Sequence, residues 1–217
     1  MNNKKAFTLA ETLMTLMIIG VVSAMTIPLL KDSSDQKANI AGLQKAESTA
    51  SNLFLQVQAV NGPPIYWHHN NVSVFASNGS IISQYLSDKM NVIQSSVDNG
   101  YTPKALNNTT ITDGASIDGS NIRLSSVKQT ADGMYWFFSD GNTGCSGSNR
   151  RCGLIMVDTN GPKKPNKMGG DLFVLEITPD GVRPLNVGDC NDVTQNGYGC
   201  AGQFAQNSKA LDFIYKD

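Results

Sequence analysis

From Phe7 to Leu30 the chain is apolar, and Glu11 is the only charged residue in the run. At 1.5 Å per residue such a run makes a helix of about 36 Å, enough to cross a hydrocarbon core of about 30 Å. Past Pro28 the pattern stays helical but becomes one-sided. Ile40, Leu43, Ala46, Ala50, Leu53, Phe54, Val57 and Val60 recur at spacings of three and four, which predicts an amphipathic helix from Asp32 to Val60. Asn61-Gly62-Pro63-Pro64 stops it. Pro28 lacks the amide hydrogen of the ladder and tends to kink a helix. The two runs together predict one nearly continuous helix of about 80 Å, first a membrane anchor and then the spine of a globular head.

Beyond the helix the period changes. Ile82, Tyr85, Leu86, Met90 and Ile93 have helical spacing and predict a second helix over Ile81 to Val97. Residues 98–120, rich in Asn, Thr, Asp and Gly, read as loop. Strand-like runs follow at Asn121 to Gln129, Met134 to Ser139, Gly153 to Asp158, Asp171 to Thr178 and Val182 to Leu185. Pro179-Asp180-Gly181 is a turn signal that predicts a hairpin between the last two. An antiparallel sheet against the end of the long helix buries the apolar faces of both. The fold class is therefore α+β, with the head from residue 61 to 217 as one domain.

Glu11 is the electrostatic anomaly of this pattern. An ionised carboxylate in hydrocarbon is costly, so it calls for a partner or a purpose. No Lys or Arg lies between Lys5 and Lys31. Within the chain the expected partners are Lys4, Lys5 or an amine created by cleavage near residue 6, and otherwise the partner belongs to another chain.

The stretch Lys4-Lys5-Ala6-Phe7-Thr8-Leu9-Ala10-Glu11 resembles the cleavage and methylation signature of type IV prepilins and type II secretion pseudopilins. In that family a short basic leader ends in a small residue, an aromatic begins the mature chain, and Glu is its fifth residue. Ala6 stands where Gly is usual. The resemblance covers roughly residues 1–60, and the expected head layout is also that of pilins.

The resemblance implies that a prepilin peptidase cuts between Ala6 and Phe7 and methylates the new amine of Phe7. Glu11 of one subunit then neutralises that amine on a neighbour in the filament, which sets register. Its implied partners are homologous pilin or pseudopilin subunits, the peptidase and an inner-membrane assembly platform. The organisation becomes a leader over 1–6, a transmembrane half-helix over 7–30, an amphipathic half over 31–60 and the head. Lys4 and Lys5 place the N-terminus in the cytoplasm by the positive-inside rule, with the head outside. An ordinary secretory signal cut after Val22-Ser23-Ala24 is the competing reading. It leaves the acid at the mouth of the apolar run unexplained.

Composition narrows the function further. Removing Lys4 and Lys5 from the seventeen basic residues leaves fifteen against eighteen acidic ones, a balance that does not advertise nucleic acid. Arg150, Arg151, Lys163, Lys164 and Lys167 could converge into a basic patch of the kind a DNA-capturing pilin would use, and a minor-pilin adhesin is the other alternative. Twenty glycines and only 16% charged residues fit an exported, loop-rich surface. Cys145 with Cys152 and Cys190 with Cys200 form two close couples, and local disulfides within each are the simplest of three connectivities. A four-thiolate zinc site is the alternative, but the spacings lack C-x-x-C knuckles.

Between two of the strand runs, Asp158, Asn160, Asn166 and Asp171 place oxygens around a loop constrained by Gly and Pro. Hard cations such as calcium require that chemistry, and some pseudopilin heads hold calcium in a loop similarly placed. The alternative is a turn in which Asp and Asn cap backbone amides. His68 and His69 have no acid or cysteine beside them and read as loop anchors. G-x-S-x-G, H-E-x-x-H and P-loop motifs are all missing, so the expected role is structural and not enzymatic.

Overall fold

The computed structural model describes residues 8–67, 81–96, 100–117, 120–122, 124, 127–140, 145, 151–188, 190, 192 and 194–206. The chain divides into two compact units, Met1–Ala38 and Asn39–Asp217. A single helix, α1 (Leu9–Asn61), contributes to both and passes through Pro28.

In the first unit, Leu9–Ile27 is long and apolar enough to cross a membrane, with mean hydropathy 1.8 and none of it buried. Three of its threonines are satisfied within the helix. The hydroxyls of Thr12, Thr15 and Thr26 donate to the carbonyls of Leu9, Thr12 and Val22 at 2.8, 2.9 and 3.0 Å. A hydroxyl that bonds its own helix presents little unmet polarity to lipid.

The second unit is built on the end of α1. Leu43, Ala46, Ala50, Leu53, Phe54 and Val57 are buried at the expected spacing, and Ile40 is partly buried. Val60, expected on the same face, is exposed, because the helix ends one residue later. There Gly62 takes a left-handed φ of 75°, its amide donates to Gln58 O at 2.9 Å, and Trp67 Nε1 donates to Gly62 O at 2.9 Å.

Six antiparallel strands form the main sheet in the order β1 (Val92–Gln94), β4 (Lys128–Thr130), β5 (Tyr135–Asp140), β6 (Gly153–Asp158), β7 (Leu172–Thr178) and β8 (Gly181–Pro184). The β7–β8 hairpin at Pro179-Asp180-Gly181 forms as expected. A small hairpin pairs β2 (Ser116–Ile117) with β3 (Ser120–Asn121). Alternate residues of the sheet enter two cores. Trp136, Phe138, Ile155, Val157, Phe173, Leu175 and Ile177 join the α1 core, while Tyr135, Phe137, Leu154, Met156, Leu172 and Val174 join a second one. The sheet is covered on both faces.

Three expectations change here. The helix expected over Ile81 to Val97 is only α2 (Ile81–Ser87), and Val92-Ile93-Gln94 becomes the edge strand β1. Ile82 and Leu86 bury one helical turn, after which pairing with β4 outweighs the residual helical period. Residues 98–120, expected as loop, are loop over 100–115, packed with Ala105, Leu106 and Ile111 buried, but Ser116–Ile117 and Ser120 enter the β2–β3 hairpin. The strand expected over Asn121 to Gln129 is split between β3 and β4, with Ile122 and Val127 buried in the second core between them. Disulfides join Cys145 to Cys152 and Cys190 to Cys200, which leaves no thiol for zinc. The short helix α3 (Cys200–Gln206) packs Phe204 edge-on to Phe173, at 6.0 Å between ring centroids.

Candidate functional site

Two places concentrate the chemistry that the sequence singled out. At the start of α1, Thr8 and Glu11 form a reciprocal pair. The amide and hydroxyl of Thr8 both donate to Glu11 Oε2 at 2.9 Å, and the amide of Glu11 donates to Thr8 Oγ1 at 3.3 Å. This is a capping box, in which two of the orphan amides of a helix start are satisfied. Glu11 therefore has an intramolecular partner, contrary to the expectation that only a lysine, a new amine or another chain could serve. The T-x-x-E spacing of Thr8 to Glu11 was the available signal. A carboxylate tethered to Thr8 is held at the first turn of α1. Ala6 and Phe7 themselves lie outside the described residues.

The second place is the loop between β6 and β7. Asp158, Asn160, Asn166 and Asp171 come together there, with both carboxylates fully buried. Asp171 accepts from the amides of Lys167 at 2.7 Å and Asn166 at 2.9 Å, and from Asn160 Nδ2 at 3.1 Å. Asp158 accepts from the amide of Asn160 at 3.2 Å and from the hydroxyl of Tyr101 at 2.8 Å. All four carboxylate oxygens thus face protein donors. One acceptor, Asn160 Oδ1, is buried with no partner among the described residues.

The energetics of this pair are poised. Burial pushes both carboxyls above the ordinary aspartate range, and the neighbouring charge of Asp171 pushes Asp158 further, against the pull of the donated hydrogen bonds. Among the described residues no Lys or Arg forms an ion pair with either acid. Tyr101 is raised by its own burial and then by Asp158, so it stays a donor.

The loop is also wedged. Thr159 bonds Asp171 O through its amide at 2.9 Å and its hydroxyl at 3.1 Å, and its side chain faces Gly42 of α1. A Cβ at Gly42 would meet Thr159 Cβ at 2.8 Å, and one at Gly161 would meet Gly133 O at 2.3 Å. Nearby, Lys45 of α1 pairs with Asp132 in the β4–β5 turn at 2.8 Å. Gly42→Ala is therefore expected to destabilise the head by about 1–3 kcal/mol through overpacking, read as a lower denaturation midpoint.

The basic residues do not all share one surface. Arg151 is buried and its Nε pairs with Glu176 Oε2 at 3.1 Å, while Arg183 Nε takes Oε1 at 2.7 Å. Lys163 and Lys164 are exposed and Lys167 is half-buried. Arg150, His68 and His69 lie outside the described residues.

Against known proteins, the model of the prokaryotic N-terminal methylation motif matches residues 1–27. The chain carries the N-terminal signature of type IV pilins and pseudopilins. The signature spans the Thr8–Glu11 box and the apolar half of α1, and it implies processing by prepilin peptidase and assembly with other pilin subunits. With the apolar helix it fits a membrane-anchored, pilin-like precursor, and it suggests a structural role. No curated protein and no solved structure matches the chain.

Proposed function

We propose that this chain is a structural subunit of a type IV pilus-like or type II secretion pseudopilus filament. In this reading the peptidase cuts between Ala6 and Phe7, methylates Phe7, and leaves the helix anchored in the inner membrane with its head outside the cytoplasm. The observation that carries it is the position of Glu11, inside the matched motif and four residues past Phe7, in the first turn of an otherwise apolar helix. The capping box supports a division of labour. Thr8 satisfies part of the carboxylate while the subunit waits in the membrane, and the charge remains available for the amine of a neighbouring Phe7 when subunits stack.

Mass spectrometry of the mature N-terminus tests this directly. N-methylated Phe7 is the expected result, and a chain beginning at Met25 would overturn the proposal in favour of a secretory signal.

A second reading concerns the acidic loop, and Asn160 Oδ1 is the observation in its favour. A calcium ion there would satisfy that oxygen and neutralise Asp158 and Asp171, but the amides and hydroxyl that now hold the carboxylates would have to give way. Saturating calcium against chelator is the test. Binding at a hundredfold excess over Kd adds about 2.7 kcal/mol, a rise of roughly 5–10 °C in melting midpoint for a head of this size. An unchanged midpoint leaves the loop as a hydrogen-bonded cap.

A further inference from the structure

A cleft of about 290 Å³ opens beside the second disulfide, lined by Ser116, Val187, Gly188, Gln195, Asn196, Gly197 and Tyr198. Every one of these residues is neutral, and together they offer an aromatic ring, two side-chain amides and two hydroxyls. We propose that this cleft binds a neutral saccharide, with the ring of Tyr198 against a sugar face and the amides of Gln195 and Asn196 on its hydroxyls.

The walls are held before any ligand arrives. The loop that carries Gln195 to Tyr198 is closed by Cys190–Cys200. Asn196 O accepts from the amide of Leu106 at 2.9 Å, and Asn107 Nδ2 donates to Asn196 Oδ1 at 3.2 Å. On the opposite wall, Gln203 Nε2 of α3 holds Gly188 O at 3.0 Å. Each side-chain amide keeps bonding capacity beyond these contacts: Asn196 Oδ1 accepts from Asn107 and Gln195 Nε2 donates to Asp192 Oδ2 at 3.4 Å, which leaves donor capacity on the amide nitrogen of the one and acceptor capacity on the amide oxygen of the other. A donor and an acceptor on successive residues match a sugar hydroxyl, which both donates and accepts. Tyr198 is half-buried against the second core and lines the cleft. Among the described residues the lining offers a charged ligand no counter-ion, and a purely apolar one would strand the amides.

The site belongs to the head and does not depend on how the N-terminus is processed. The test uses the full-length chain in a zwitterionic detergent, since sugar-headed detergents would compete. Saturation-transfer NMR and titration calorimetry would be run with neutral hexose and N-acetylhexosamine disaccharides, and with a sialylated sugar as the anionic control. Neutral disaccharides are expected to bind with Kd on the order of 1 mM. Tyr198→Ala is expected to weaken them at least about tenfold, the loss of one stacked ring. Asn196→Asp places a charge on the lining with little change of shape, and is also expected to reduce binding. Each variant is compared at a thermal midpoint matched to the parent, and Gln195→Ala replaces Tyr198→Ala if the latter does not fold. Absence of transfer at tens of millimolar sugar, tighter binding of the anionic control, or equal binding by folded variants overturns the proposal.

Discussion

Glu11→Gln is expected to insert in the membrane and to be cut normally, yet to enter filaments at least about tenfold less efficiently than the parent chain. The substitution separates two roles that Glu11→Ala would merge. A glutamine oxygen can still accept from the amide and hydroxyl of Thr8, so the helix start survives. What disappears is the charge that the proposed neighbouring amine requires. Thr8→Val is the complementary variant: it removes the hydroxyl and keeps the carboxylate, so it should loosen the first turn and impair assembly less. The measurement is the fraction of subunit sheared from cells as filament against the membrane-bound fraction. Normal filament yield from Glu11→Gln would show that the carboxylate serves the helix cap alone, and the assigned intersubunit role would fall.

Asp171→Ala is expected to produce the largest loss of head stability among single substitutions in the β6–β7 loop, about 3 kcal/mol or roughly 10 °C in melting midpoint. It removes the acceptor for the amides of Asn166 and Lys167 and for Asn160 Nδ2, and the Asn166 amide would be left buried and unmet. Relief of the repulsion with Asp158 offsets part of that loss. Asp158→Asn should cost less, because its one oxygen keeps either the Tyr101 or the Asn160 bond, and loss of the like charge beside Asp171 offsets part of the bond given up.

The same pair sets a pH dependence, best measured in chelator so that protons alone are varied. Folding raises both aspartate pKa values, so the folded head binds more protons than the unfolded chain at mildly acid pH. The stability contributed by this pair is fully present below the ordinary value of 3.8 and is lost as pH rises through the raised folded values. Asp132 runs the other way. Lys45 and Thr130 hold it low despite its partial burial, and its contribution is lost only as pH falls below 3.8. The head should therefore melt at a higher temperature near pH 5 than near pH 7, and Asp158→Asn should flatten that slope. A parent midpoint that rises steadily toward neutral pH would contradict the buried-pair account.

Local pattern carried the helix and the later strands, because their apolar periods are long and lie close together in sequence. Leu43, Ala46, Ala50, Leu53, Phe54 and Val57 needed no knowledge of what covered them, and Gly153–Asp158 is bounded by the same residues in pattern and in fold. The layer over the sheet's second face was illegible for the opposite reason. Its buried residues, such as Ile111, Ile117 and Ile122, are isolated apolar positions among Asn, Thr, Asp and Gly with no period of their own. Val92-Ile93-Gln94 could have continued a helix, and its pairing with β4 decided otherwise.

The N-terminal signature, the anchor and the α+β class were determined by the sequence alone, since each rests on residues within a few turns of one another. Which groups share a site was decided only in three dimensions. Tyr101 reaches Asp158 from 57 residues away, Arg151 turns into the sheet to pair with Glu176, and the cleft beside Cys190–Cys200 draws Ser116 to Tyr198. Even Glu11 shows the boundary. Its isolation in an apolar run was plain in the sequence, but its bond to Thr8 depends on helical geometry that brings residues three apart onto one turn.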